Sequence, residues 1–135
     1  MSQENVEFVR RITDVMDAEG FEAAIPVFLD AAHPDVEWRE DPAWPGSATY
    51  RGIEQVRQVI LDRMGTLDFD QQTEDLIDVD DNVVVLVRWA GRGKASGAQG
   101  ELSMAMVWTV RDQAITRLEF FLDRTQALEA VGLRE

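Results

Sequence analysis

The stretch that decides the fold is ELSMAMVWTVRDQAITRLEFFLD, residues 101–123, which has the pattern of a long β-hairpin ending in a carboxylate. In its first half, hydrophobic residues recur at every second position, as expected of a strand with one fully covered face. The positions on that face are Leu102, Met104, Met106, Trp108 and Val110. Residues 111–114, RDQA, predict the reversal, because Asp stabilises turns by bonding to nearby backbone.

The returning strand predicts two faces of different character. Leu118, Phe120 and Leu122 form an apolar face, whereas the opposite face mixes apolar and charged side chains. The mixed face contains Ile115, Arg117, Glu119, Phe121 and Asp123. Such a mixture is typical either of a cavity wall or of a partly exposed surface with a salt-bridged pair, and the sequence leaves both interpretations open.

The composition indicates one globular domain with a sizeable core. The chain has 135 residues, 45% of them hydrophobic, and we expect residues 1–135 to form a single domain. No apolar run approaches the roughly 20 residues that span a bilayer. Residues 1–11 lack the apolar centre of an export signal, so we expect a cytoplasmic protein. The absence of cysteine excludes disulfides and thiolate chemistry.

The charge balance excludes several classes of partner. The formal net charge is −13, from 26 acidic and 13 basic residues. This excess of acid repels the phosphate backbone of nucleic acids and the surface of anionic membranes. We therefore expect neither nucleic acid nor a membrane as a partner.

Metal and nucleophile motifs are absent from the sequence. Metal sites usually need three or four ligands from His, Cys and carboxylates, and the chain has one histidine, His33. The acids Asp78, Asp80 and Asp81 lack the spacing of a calcium loop. There is no glycine-rich phosphate motif and no GxSxG nucleophile motif. The sequence therefore predicts no metal and no cofactor.

The order of elements predicts the fold class. We expect helices between Ser2 and Gly20, over 21–29 and over 52–65, with a short strand over 36–40 between the last two. Four strands follow in a row, and a short helix ends the chain over 124–133. Consecutive strands joined by short turns make an antiparallel meander, and segregated helices indicate the α+β class. The polar strand 69–77 is expected near a sheet edge, and the apolar strand 83–89 is expected inside the sheet.

A proline-rich loop separates the first strand from the third helix. It reads DPAWPG, residues 41–46, and places Trp44 between two prolines. Trp44 is predicted to be either a lid over a pocket or a plug on the core. A curved sheet around helices leaves a concavity at its open end, where ligands bind.

Four segments carry a resemblance to a known family. They are AEGFEAAIPVFLDAAHPDVEW (18–38), PAWPG (42–46), YRGIEQVRQVI (50–60) and TRLEFFLDRTQALEAVGL (116–133). With this order of elements, the chain resembles the SnoaL-like, polyketide cyclase-like group of the nuclear transport factor 2-like (NTF2-like) superfamily. The resemblance covers nearly the whole chain.

The resemblance implies a cone-shaped, cystatin-like α+β fold. A curved, mostly antiparallel sheet would wrap around three N-terminal helices, with a short C-terminal helix. It also implies a deep pocket for a small apolar molecule and a homodimer packed through the sheet. Family members include cyclases, ketosteroid isomerases, epoxide hydrolases and proteins that only bind.

The resemblance also implies candidate catalytic residues. In the cyclases, an acid near the end of the last strand acts as acid/base, and Asp123 is the closest match, with Glu119 second. Asp41 resembles the base of the ketosteroid isomerases. Arg88 and Asp123 resemble part of the epoxide hydrolase arrangement. The match departs from these families because Ala90 stands where the epoxide hydrolases have a second Asp.

The isomerase pattern is also incomplete. Ile12 stands near the expected tyrosine of the first helix, and Met106 stands near the expected second carboxylic acid.

A carboxyl group in an apolar cavity is the chemistry that these residues permit. Burial raises the pKa of a carboxyl, and such a group can move a proton next to a carbonyl. We expect Asp123 in that role, Glu119 as its alternate, and Arg88 to offset charge on an enolate. The expected apolar wall consists of Trp38, Trp44, Tyr50, Met106 and Trp108.

Two interpretations of the function remain open. One is a cofactor-independent, cyclase- or isomerase-like enzyme that acts on an apolar carbonyl compound. The other is a non-catalytic protein of the same fold that binds a small apolar molecule. Under the second, Asp123 would be the N-cap of the last helix, a position where Asp is favoured.

Overall fold

The computed structural model describes residues 2–93 and 99–133, with side chains except at residues 2–3, 64–69 and 92–93. The helices are α1 (Ser2–Glu19), α2 (Phe21–Ala31), α3 (Ile53–Thr66) and α4 (Arg124–Ala130). The strands are β1 (Ala32–Arg39), β2 (Thr49–Arg51), β3 (Leu67–Val79), β4 (Asn82–Gly93), β5 (Gln99–Arg111) and β6 (Ala114–Phe121). Within those ranges, no helix combines the length and the apolar character that a membrane span needs.

The six strands form one sheet in the order β2-β1-β6-β5-β4-β3. Strands β3 to β6 make the expected antiparallel meander, and β1 adds to β6 in parallel. The expected α+β class is confirmed, as are the edge position of 69–77 and the interior position of 83–89. Strand β2 was not predicted, because three residues are too few to show an alternating pattern.

Local conformation explains where two of the elements end. Gly20 adopts φ 96°, a left-handed conformation that glycine adopts readily, and it separates α1 from α2 as predicted. Asp112 and Gln113 have φ 52° and 60° and form the two-residue turn between β5 and β6. Positive φ at both central residues is the geometry that matches the twist of a hairpin.

The inner face of the sheet packs against α1, α2 and α3. On β5 this face carries Met104, Met106, Trp108 and Val110, all buried, as the alternation predicts, whereas Leu102, predicted on the same covered face, is exposed. One position of β6 corrects the sequence prediction. Ile115 is fully buried in the same core as Leu118, although the pattern places it on the mixed face. The register shifts between Thr109 and Val110, and this bulge rotates the start of β6.

Helix α4 covers part of the outer face of the sheet. Ala127 is buried against Val84, Ala105 and Val107, and Leu128 and Val131 pack around this second cluster.

Arg124, the first residue of α4, fixes the helix to the sheet. Its guanidinium donates to the carbonyl of Met104 at 3.3 Å and to that of Val87 at 3.0 Å, and it pairs with Glu74.

Candidate functional site

A cavity of about 90 Å³ lies between the inner face of the sheet and helices α1 to α3. Its lining is apolar except for Thr13, Glu40, Arg63 and Gln71. All the tryptophans of the chain line it, together with Phe28 and Phe120. The cavity is therefore an aromatic chamber with few polar groups.

The aromatic rings pack against one another across the cavity. Phe120 is the centre of the group, with ring centroids 4.7 Å from Trp38, 6.3 Å from Trp89 and 6.4 Å from Trp44. Phe28 stands edge-on to Trp108 at 5.6 Å. These separations lie in the range at which aromatic pairs attract each other beyond their buried area.

Exposure identifies the mouth of the cavity. Most lining residues are buried, and the partly exposed ones are Phe21, Ile25, Trp44, Arg63 and Trp89. Helix α2, the loop 41–48, the last turns of α3 and strand β4 therefore frame the opening. Trp44 is half-buried at this mouth, with its ring beside those of Trp89 and Phe120, and a lid role stays a prediction.

Glu40 is a buried carboxylate on the cavity wall, with a side chain that is 2% exposed. Its Oε2 accepts hydrogen bonds from Nε of Arg63 at 2.8 Å and from Nε1 of Trp38 at 3.2 Å. Its Oε1 accepts from Nη2 of Arg63 and from the backbone N–H of Ala48 at 3.3 Å. A carboxylate offers about four lone-pair sites, so these donors occupy the whole capacity of Glu40.

The Glu40–Arg63 pair is a two-pronged, charge-assisted contact. The hydrogen bond to Glu40 raises the pKa of Arg63 above its ordinary value, and the partial burial of the guanidinium opposes that shift. Arg63 therefore keeps its positive charge at neutral pH, and it lies directly against the carboxylate of Glu40 on the cavity wall.

The other polar groups of the lining are uncharged. Gln71 accepts from Nε1 of Trp89 at 2.8 Å and donates to Thr73 at 3.2 Å. The hydroxyl of Thr13 donates to the carbonyl of Arg10 at 3.1 Å. Nε1 of Trp108 is buried and has no hydrogen-bond partner among the described residues.

The five predicted wall residues divide into two groups. Trp38, Trp44, Met106 and Trp108 line the cavity. Tyr50 lies on β2, opposite Trp38, and packs against the core outside the cavity lining. That any of them contacts a ligand stays a prediction.

The two acids predicted from the cyclases lie away from the cavity. Asp123 is exposed and caps α4, where its Oδ1 accepts from the backbone of Thr125 at 2.8 Å and of Gln126 at 3.4 Å. Glu119 is on the outer face of β6, where it lies 4.0 Å from Arg39.

The other two predicted catalytic residues also serve other contacts. Asp41 is buried and accepts from the backbone of Ala43 at 2.9 Å and of Leu122 at 2.8 Å. Arg88 donates to Gln72 at 2.6 Å and lies 3.9 Å from Glu74. Asp41, Arg88, Asp123 and Glu119 are all outside the described lining of the cavity. Their catalytic roles stay predictions.

Sequence reasoning missed the charged pair of the cavity, although each partner left a signal. Glu40 continues the alternation of Val36 and Trp38, which places an acid on the inward face of β1. Arg63 follows Ile60 by three residues on α3, which places a base on the buried stripe of that helix. A charged side chain at a core position indicates a buried partner.

Comparison with known proteins places this geometry in a family. Residues 9–118 match the family model of the SnoaL-like domain. The structure is similar to that of an NTF2-like protein from Burkholderia xenovorans LB400, with 20% identity, a TM-score of 0.73 and 97% of each chain covered. In sequence, the chain matches none of the curated proteins with which it was compared.

Two similar solved structures were determined with small molecules. One is TerC co-crystallised with polyporic acid, at 22% identity and a TM-score of 0.71, covering 94% of this chain and 97% of that chain. The other is a Catenulispora acidiphila protein with a ketosteroid isomerase-like fold, in complex with trimethylamine. It has 16% identity and a TM-score of 0.69, covering 94% of this chain and 93% of that chain. These likenesses establish the NTF2-like fold.

Proposed function

Since the chain belongs to the SnoaL-like domain family, we propose that it binds a small, largely apolar molecule in the cavity of its NTF2-like fold. The observation that carries the proposal is the aromatic lining of the cavity. Moving apolar surface out of water contributes roughly 25 cal/mol per Å². A guest with an apolar body would therefore gain most of its affinity from these walls.

The size of the cavity limits the guest. An apolar cavity of roughly 150 Å³ holds a benzene molecule, whereas this one measures about 90 Å³. A one-ring guest therefore requires an outward shift of residues at the mouth. Trp44 is the natural candidate, because it stands on a loop rather than on a helix or strand.

The bonding of the acids favours binding over acid/base catalysis. Glu40 is the carboxylate on the cavity wall, and its four hydrogen bonds leave no lone pair to take a proton from a guest. Asp123 and Asp41 each accept two backbone hydrogen bonds away from the cavity. Binding, unlike acid/base catalysis, needs no proton-transfer group on the wall.

The proposal also includes self-association through the outer face of β1 and β6. Glu37 lies there with its side chain 10% exposed, 3.2 Å from Arg39 and 3.0 Å from both Arg51 and Arg117. Charges of both signs on one patch, with Glu119 nearby, allow the same patch on a second copy to pair with it.

Nuclear magnetic resonance of the indole N–H groups tests the binding proposal. The four tryptophans all line the cavity, so each of the four indole signals reports on it. We expect toluene to shift these signals in a saturable manner. The control is Ala24→Leu, which adds bulk to a buried lining position and should weaken binding while the protein stays folded. Unshifted signals, or an equal response of both proteins, would refute the proposal.

A further inference from the structure

We infer that the cavity selects neutral guests because the Glu40–Arg63 pair leaves no uncompensated charge on its wall. This inference rests on the proposed binding function and specifies the chemical class of the ligand. Among the described residues that line the cavity, Glu40 is the acidic one and Arg63 the basic one, and the two form a salt bridge. The chamber therefore presents no net charge to a guest.

A cationic guest would lack a counter-charge in the cavity. Its natural partner would be the carboxylate of Glu40, but Arg63, Trp38 and Ala48 already donate to both oxygens. An incoming ammonium group would have to displace one of these donors. Because Arg63 and Glu40 belong to the same chain and are already aligned, the guest competes with an intramolecular partner.

An anionic guest would likewise have to compete for its natural partner, the guanidinium of Arg63. The guanidinium fork of Arg63 is engaged by the carboxylate of Glu40, which is the geometry that a guest carboxylate would need. Removing an ion from water costs several kcal/mol when no partner in the cavity compensates for the lost hydration. The aromatic rings of the wall do not compensate an anion for this lost hydration.

Neutral guests avoid both costs. A neutral hydroxyl or amide group needs a hydrogen bond when buried, and its penalty without one is smaller than that of an ion. The uncharged polar groups of the lining, Gln71 and Thr13, and the unpaired indole N–H of Trp108 are the matching partners. The expected ligand is thus a small ring compound with a neutral polar group.

Two matched pairs of one-ring probes test the selectivity at pH 7. Benzyl alcohol and benzylammonium differ by a positive charge, and benzamide and benzoate differ by a negative charge. We expect each charged probe to bind at least about tenfold more weakly than its neutral counterpart, because cation–π attraction to the rings offsets only part of the desolvation cost of a cation and none of that of an anion. Dissociation constants come from the four indole signals.

Variants of the pair assign the selectivity to Glu40 and Arg63. Arg63→Gln leaves the carboxylate of Glu40 without its counter-charge, so the preference for benzyl alcohol over benzylammonium should shrink or reverse. The double variant Glu40→Gln, Arg63→Gln should restore that preference, since it removes both charges. Arg63→Lys keeps the positive charge and should keep the wild-type order. If Arg63→Gln fails to fold, Glu40→Gln provides the mirror test, since an uncompensated Arg63 should shrink the preference for benzamide over benzoate.

The outcomes separate this inference from the proposed function. If none of the neutral probes binds the wild-type protein, the proposed function itself fails. If neutral probes bind but the charged probes bind equally well, the binding function stands and the neutral selectivity is overturned. If Arg63→Gln keeps the full wild-type ratio, the pair does not set the selectivity.

Discussion

The backbone N–H of Leu122 donates to Oδ2 of Asp41 at 2.8 Å, a contact that spans 81 residues of sequence. The other oxygen of this buried carboxylate accepts from the N–H of Ala43 at 2.9 Å. One side chain therefore ties the loop 41–48 to the end of β6. Because that loop carries Trp44, the position of the cavity mouth depends on Asp41.

Asp41→Ala is expected to lower the free energy of unfolding by about 1–3 kcal/mol, because it leaves two backbone donors without their partner. Asp41→Asn keeps one acceptor oxygen and should fall between the alanine variant and the wild type. Urea unfolding measures both. Asp14→Ala, an exposed change on α1, is the control and should stay within about 0.5 kcal/mol of the wild type. An unchanged stability for Asp41→Ala would show that these hydrogen bonds do not hold the loop.

Variants at Asp123 distinguish its capping role from the predicted acid/base role. As an N-cap, Asp123→Asn should leave stability nearly unchanged, whereas Asp123→Ala should cost about 1 kcal/mol, since Asn caps as well as Asp does and Ala does not. Thermal unfolding measures the difference. If a substrate is found, turnover that survives in Asp123→Asn removes the acid/base role. Turnover that disappears in this well-folded variant would restore it and contradict the binding interpretation.

The ion pair between Glu74 and Arg124 makes stability depend on pH. The hydrogen bond from Arg124 lowers the pKa of Glu74 below its ordinary value of 4.5. Because the folded-state pKa is lower than the unfolded one, the contact stabilises the protein above about pH 4.5 and is lost as the pH falls through the folded-state value.

Glu74→Gln should therefore be less stable than the wild type at pH 7, and the difference should shrink as the pH falls below about 4.5. Urea unfolding at pH 7 and pH 3 measures it. Because Glu74 is exposed, the effect is expected to be small and to weaken in high salt. A difference that persists unchanged at pH 3 would indicate that the charge of Glu74 is not its cause.

The charged patch around Glu37, on the outer face of β1 and β6, predicts that the protein is a dimer. Light scattering should give a mass near double the 15.3 kDa of the chain. Arg51→Glu reverses a charge beside Glu37 and should shift the protein towards the monomer. Arg57→Glu makes the same change on the exposed side of α3, beside Glu54, and should leave the dimer intact. A monomeric wild type, or an equal response of the two variants, contradicts the proposed interface.

The fold was largely predictable because its signals are local. The alternation along β5 gave the core face directly, and Gly20 marked the end of α1. Ile115 was placed on the wrong face because a bulge shifts the register of β6 relative to β5. A bulge depends on two paired strands, so one strand read alone carries no sign of it.

The site was less predictable because its polar centre is a tertiary contact. Glu40 and Arg63 are 23 residues apart, on the end of a strand and on a helix, and no local rule joins them. Asp123 shows the reverse case, since an N-cap is a local motif and the sequence already offered that alternative. The family resemblance implies catalytic acids at the positions where family members have them, whereas the acid on the cavity wall lies at a different position, Glu40.

Trp44 is expected to limit the size of the guests that can enter the cavity. Its ring lies 6.2 Å from that of Trp89 and 6.4 Å from that of Phe120, and it closes part of the mouth. Trp44→Ala removes this ring and should admit naphthalene, a two-ring probe that the wild type is expected to exclude on size. The indole signals of the three remaining tryptophans measure the binding. Trp44→Phe keeps an aromatic ring at the mouth and should still discriminate against naphthalene. If naphthalene binds the wild type and Trp44→Ala equally, the mouth lies elsewhere, and the outward shift proposed for Trp44 is not how a guest enters.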